Sequence, residues 1–214
     1  MCNRYANRIA YQQYVERFKN TPLRIVAPSP DKAPNLEPRN DIYPTDPTSI
    51  LRPVDGGLEL KQIRWGLIPW FHKKTVKEWK SLTTNARSET ITTTATFKRA
   101  FQKHRCLVPA NQFYEWTGPK GKKVKWTFRP DSGDWFCFAG IWEKAQTAEG
   151  GIESFALLTA PGGEIMRPFH DRQPIVLNPE TYNAWLNDEM AALEICKKPP
   201  DLSGFTVTQA IVSA

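Results

Sequence analysis

Residues 105–117 read RCLVPANQFYEWT, and the reading of this run decides the fold. It is rich in β-branched and aromatic side chains, so it is predicted to be a strand. GPKGK (118–122) follows and has the composition of a turn. KVKWTF (123–128) then spaces Val124, Trp126 and Phe128 at period two, with basic residues between and beside them. The three stretches predict a hairpin with one wet, positive face. Further along, WFCFAGIW (135–142) is apolar throughout, as a strand covered on both sides would be. SFALLTA (154–160), QPIVLN (173–178) and FTVTQAIV (205–212) are predicted strands as well. Asn178 is placed to cap a short helix, with Pro179 in its first turn and Trp185 and Leu186 on its inner side.

Upstream, Phe97 and Phe101 are four residues apart and mark a helix, and LKQIRWGLI (60–68) reads as a strand. Tyr11, Tyr14, Val15 and Phe18 fall at helical spacing and predict a first helix over 10–19. Pro28, Pro30, Pro34, Pro38, Pro44, Pro47 and Pro53 crowd residues 28–53. Each proline lacks an N–H and fixes φ, so neither a helix nor a central strand is expected there, only an extended surface segment. The predicted class is α+β: a β-dominated, strongly curved sheet or barrel with a few peripheral helices. A chain of 214 residues fits one domain, 1–214.

No apolar run is long enough to span a bilayer, and the start lacks a basic-then-apolar leader, so a cytoplasmic protein is expected. Cys2, Cys106, Cys137 and Cys196 are scattered, as are His72, His104 and His170, with no C-x-x-C pair. That spacing predicts free, mostly core thiols and no metal site. The net charge of +7 suits an anionic partner such as nucleic acid without requiring one.

Four stretches carry more polar function than their apolar settings require: MCNRY (1–5), TTNARSET (83–90), VPANQFYEW (108–116) and RPFHDRQP (167–174). Glu115 lies between Tyr114 and Trp116. Alternation alone favours a solvent-facing carboxylate, but a pocket-facing one would have a raised pKa and could exchange protons near neutrality. His170 is either a titrating group or a surface residue of a charged loop. Asn85 and Arg87 offer an amide and a planar phosphate-binding fork, or simply form a helix-entry loop. Arg4 is another candidate phosphate ligand. Trp65 is a candidate base-stacking platform or a core aromatic. HKKTVKEWK (72–80) and KGKKVKWTFR (120–129) mix cations with aromatics, as single-strand binding surfaces do and as ordinary amphipathic strands also do.

Taken in order, MCNRY, RWGLIPW (64–70), NARSET (85–90), RCLVPANQFYEW (105–116), FAGIWE (138–143) and HDRQPIVL (170–177) resemble the SRAP family (SOS-response-associated peptidase, or abasic-site processing protein) from residue 2 to about Leu186. Asn3 stands where the family usually has glycine, Gln173 where it usually has methionine, and the Pro-rich stretch 25–39 resembles an insertion. The resemblance implies binding of single-stranded DNA and a covalent link between Cys2 and the ring-opened sugar of an abasic site, shielding that site during the DNA damage response. It implies loss of Met1 and roles for Glu115 in proton transfer, for His170 in ring opening and reversal, and for Asn85 in positioning Cys2. Arg4, Arg87 and Arg172 would hold phosphates and Trp65 would meet bases. No cofactor, metal or membrane is implied, the protein is expected to be a monomer, and a bacterial member would work at the nucleoid. Two other readings stay open: a thiol peptidase that removes its own Met1, and a non-covalent nucleic-acid binding module.

Overall fold

The computed structural model describes residues 2–29, 32–198 and 201–209. In chain order its elements are β1 (Tyr5–Asn7), α1 (Tyr11–Phe18), β2 (Ile25–Ala27), β3 (Arg39–Ile42), β4 (Pro47–Val54), β5 (Gly57–Trp65) and β6 (Asn85–Arg87). Then come α2 (Ala95–Lys103), β7 (Arg105–Ala110), β8 (Gln112–Thr117), β9 (Val124–Pro130), β10 (Phe136–Thr147) and β11 (Gly150–Pro161). The chain continues through β12 (Arg172–Pro174), β13 (Val176–Leu177), α3 (Tyr182–Asn187), α4 (Glu189–Lys197) and β14 (Phe205–Gln209). The last three residues of the expected strand 205–212 lie outside the described residues.

β4, β5, β7, β10 and β11 close on themselves. β10 pairs antiparallel with both β11 and β7, β7 pairs with β4, and β4 with β5. β5 completes the ring by pairing parallel with β11 at Ser154↔Arg64 and Phe155↔Trp65. A second sheet runs in the order β14-β9-β8-β1-β3. The run 105–117 is therefore two strands. β7 belongs to the barrel and β8 to the second sheet, with the break at Asn111.

The first half of β10 reads as hydrophobic throughout because its successive side chains enter two different apolar clusters. Phe136 and Phe138 of β10 join an inner cluster with Val108, Phe155, Leu157, Tyr5 and Cys2. Cys137, Ala139 and Ile141 face the other way, toward Tyr14, Phe18, Phe101 and Trp185 of the outer helices. Both faces are buried, so neither can be polar. At Gly140 an added Cβ would lie 2.6 Å from Val108 Cγ2 and 2.8 Å from Cys106 Sγ, which leaves room only for glycine inside the barrel.

Two expectations are corrected. The Pro-rich segment was expected to hold no central strand, yet β4 sits between β5 and β7. Pro47 opens the strand and Pro53 lies at its exposed end, whereas β7 meets β4 at Leu51. The missing N–H groups thus fall where the ladder does not use them. Asn178 makes no side-chain cap; its backbone oxygen instead accepts from Thr181 N at 2.9 Å. Pro179, Trp185 and Leu186 take the expected positions. α4 was not anticipated. Asp188 caps it, accepting from Met190 N and Ala191 N at 2.9 and 3.1 Å.

Candidate active site

β11 organises the site. Its parallel edge carries β5 and then β6, so that Asn85 lies opposite Leu157 and Arg87 opposite Thr159. Its end pairs with β12, which places Arg172 opposite Pro161. β1, paired with β8, leads back to Cys2. Four segments distant in sequence thus reach one end of the barrel.

Cys2 is fully buried in the inner cluster. Asn85 Nδ2 donates to the Cys2 carbonyl at 3.0 Å. The same Nδ2 lies 3.3 Å from Asn3 Oδ1, which also accepts from Thr84 Oγ1 at 3.3 Å. Asn3 therefore adds a second acceptor to this clasp. Asn85 Oδ1 is buried with no hydrogen-bond partner among the described residues. Burial pushes the Cys2 thiol well above its usual range, and the charge of Glu115 adds to the rise.

Glu115 is buried, only 3% exposed, which overturns the solvent-facing reading. The β8–β9 hairpin has its wet face, but Glu115 is on the other one: it pairs with Trp126, and the loop carrying His170 packs Phe169 on Trp126 and Phe128 at ring separations of 4.9 and 5.3 Å. Burial raises the Glu115 pKa to about 7, and the Asp171 carboxylate pushes the same way. His170 is half-buried. Its Nδ1 accepts from Arg172 N at 2.9 Å and lies 2.7 Å from Asp171 Oδ1. The neutral ring can accept from Arg172, whereas a protonated ring pairs with Asp171. Burial holds the His170 pKa below its usual value, which favours the neutral form at pH 7.

The loop before His170 is fastened by this chain's own residues. Gln173, 1% exposed, accepts from Gly163 N at 2.8 Å, and Gly162 N donates to Asp171 O at 2.7 Å. A Cβ at Gly162 would lie 2.8 Å from the His170 carbonyl oxygen. The amide at Gln173 thus suits the double-glycine loop beside it.

The four proposed DNA contacts fare differently. Arg87 is exposed. Arg4 is partly exposed and pairs with Asp41 at 2.6 Å. Trp65 is fully buried: its Nε1 donates to Thr84 O at 3.0 Å and its ring stacks on Phe155. It is core and offers no face to a base, because the alternation of β5 turns it into the barrel. Arg172 is 9% exposed, and its guanidinium binds the Glu89 carboxylate and Thr159 O. Nη1 and Nη2 are taken up by Glu89 and Thr159, and Nε is buried without a hydrogen-bond partner among the described residues, so Arg172 braces the His170 loop from inside and does not present its charge at the surface. The hydrogen bonds from Arg172 hold Glu89 near a pKa of about 2.

Among the described residues the exposed aromatics are Tyr43, Trp70 and Phe71; the last two, 46% and 40% exposed, lie on an excursion with exposed Lys73, Lys74, Lys77 and Lys80. Leu67 and Thr83 close its neck through Leu67 N to Thr83 O at 3.1 Å and Thr83 Oγ1 to Leu67 O at 2.6 Å, two residues before Asn85. The signal was present in the sequence: Trp70 follows a proline and precedes a basic run, outside any apolar alternation.

All four cysteines are buried and free. Among the described residues, no helix is long and apolar enough to cross a membrane. No group of three or more His, Cys, Asp or Glu side chains among them could hold a metal ion.

The chain is 31% identical over 191 residues to the abasic site processing protein YoqW of Bacillus subtilis, spanning 87% of this chain and 80% of that one. It is 27% identical over 199 residues to the abasic site processing protein YedK of Escherichia coli, spanning 91% and 83%. A crystal structure of a protein from Bordetella bronchiseptica superimposes with a TM-score of 0.81 at 25% identity, covering 99% of this chain and all of that one. The family described as SOS response associated peptidase (SRAP) matches residues 1–214, and the chain belongs to it.

Proposed function

We propose that this protein processes abasic sites in single-stranded DNA by forming a covalent thiazolidine through Cys2. The observation that carries the reading is the grip of Asn85 on the Cys2 carbonyl at 3.0 Å, at a site where Glu115 titrates at about 7. The names of the relatives support it.

The chemistry starts with loss of Met1, since an amide nitrogen cannot condense with an aldehyde. The freed α-amine has a pKa of about 7.7–8.0, so a useful fraction is neutral at cellular pH. Its lone pair attacks the aldehyde of the ring-opened sugar, and one water leaves as the imine forms. The Cys2 thiol then adds across the C=N bond: sulfur bonds to carbon and the thiol proton ends on nitrogen. A buried thiol with a raised pKa is a poor free thiolate, so the proton needs a carrier as the C–S bond forms. Glu115, balanced between its two protonation states near pH 7, fits that role. His170 acts on the sugar ring oxygen during opening and reversal. Arg4 and Arg87 meet backbone phosphates, and Trp70 and Phe71 replace Trp65 as the stacking surface.

The same Cys2, Glu115 and His170 would serve removal of Met1. Cleavage of other proteins is less well supported, because it calls for a preformed thiolate that burial opposes. The test is incubation of mature protein, lacking Met1 by intact mass, with an abasic single-stranded oligonucleotide. A heat-stable conjugate on a denaturing gel is expected, absent from Cys2→Ala. A conjugate of equal yield from Cys2→Ala, or none from the mature protein, overturns the reading.

A further inference from the structure

Arg4 does not sit on this surface as a bare charge. Its guanidinium carbon lies 4.8, 5.7 and 5.8 Å from the ring centres of Tyr43, Tyr114 and Trp116. The rings hold the planar fork from several sides and fix its direction. Lys125, from the wet face of the β8–β9 hairpin, stands 3.7 Å over the Tyr114 ring. One carboxylate oxygen serves both cations: Asp41 Oδ1 is 2.6 Å from Arg4 Nε and 3.9 Å from Lys125 Nζ.

That oxygen occupies the place a phosphate oxygen would take between two cations. A backbone phosphodiester carries the same single negative charge as a carboxylate, so one can replace the other without changing the local balance. Asp41 is free to yield. Its side chain is 36% exposed and it lies on β3, the edge strand of its sheet. Arg4 does not depend on it for orientation, because the three rings remain.

We propose that Asp41 is a built-in competitor for DNA phosphate at Arg4 and Lys125, and that this face grips a strand only by exchanging the carboxylate for a phosphate. The proposal rests on the reading that Arg4 meets the DNA backbone. It makes Asp41 the residue that sets affinity and Lys125 a second ligand for the same phosphate. A weaker non-covalent grip would let the protein leave undamaged strands and be retained only where Cys2 reacts.

The test measures equilibrium binding of the mature protein to an undamaged single-stranded oligonucleotide across a salt series, so that no covalent step contributes. Asp41→Asn keeps the shape and an acceptor for Arg4 while removing the charge. It is expected to bind roughly three- to tenfold tighter, with a log–log salt slope close to that of wild type, since the same phosphate is bound in both. Asp41→Ser should tighten binding likewise, and neither change should alter melting much, since the pair is partly exposed. Arg4→Ala should weaken binding and cancel the gain from Asp41→Asn. If Asp41→Asn binds equally or more weakly while Arg4→Ala still weakens binding, Asp41 merely orients Arg4 and the competitor idea falls alone. If Arg4→Ala leaves binding unchanged, this face does not meet DNA and both ideas fall.

Discussion

Glu115 in β8 and Glu143 in β10 are both sealed from solvent, 3% and 1% exposed, yet they fall on opposite sides of the ordinary carboxylate range. At Glu143 burial pushes the pKa up, but His104 and Arg99 outweigh it, and the net shift is downward. Lys144 N also donates to its Oε1 at 3.1 Å. At Glu115 burial wins, and the group titrates at about 7. Burial alone therefore does not mark a working carboxylate. A buried glutamate braced by an arginine is a fixed anion that ties α2 to the barrel. One in which desolvation dominates is poised to exchange a proton.

Replacing each glutamate tests that contrast. Glu115→Gln is expected to slow conjugate formation by roughly 10²–10⁴-fold, the usual range for a lost proton-transfer group. It should also flatten the pH–rate profile near 7. Its effect on stability has the opposite sign. A carboxyl whose folded pKa is raised contributes stability that is present below its unfolded pKa and lost as pH rises through the folded value of about 7. Glu115→Gln should therefore be more stable than wild type at pH 8, by up to roughly 3 kcal/mol, with the advantage vanishing near pH 4. Equal melting temperatures at both pH values would show that Glu115 is not shifted.

Glu143→Gln should move stability the other way. Its folded pKa is lowered, so its contribution is present above the unfolded pKa and lost as pH falls through the folded value. A cost of about 2 kcal/mol at pH 7 is expected from leaving Arg99 and His104 poorly matched, with conjugation at a permissive temperature unchanged. A large loss of conjugation in this variant would erase the distinction between the two carboxylates. Arg99→Ala gives the smallest effect. Arg99 is 43% exposed, so about 0.5 kcal/mol is expected, with the Glu143 titration moving upward by NMR.

Much of the fold was legible because its alternation is strong. α1, α2, β10 and β11 lie where their apolar spacing put them, β5 starts and ends three residues before the expected 60–68, and the closed barrel lies within the predicted class. What failed depended on neighbours. β4 was hidden because proline density says nothing about which N–H groups a ladder needs. The run 105–117 concealed a change of sheet at Asn111, since both halves are apolar and one residue makes the break. Trp65 and Arg172 were misassigned because the residue type fitted the chemistry while the packing faced the other way.

The sequence by itself determined the chemical inventory: a cysteine at position 2, an amide, a carboxylate and an imidazole, each in its own polar stretch. It also determined which barrel strands are covered on both faces, because β10 opens as a continuous apolar run whereas β5 alternates. Only the tertiary structure decided which groups meet. Asn85 reaches the Cys2 carbonyl, 83 residues away in sequence, because β6 runs along β11. Glu115 differs from Glu143 only through what packs around it. A pKa is set by solvent exclusion and nearby charge, and both are properties of the folded neighbourhood rather than of the residue.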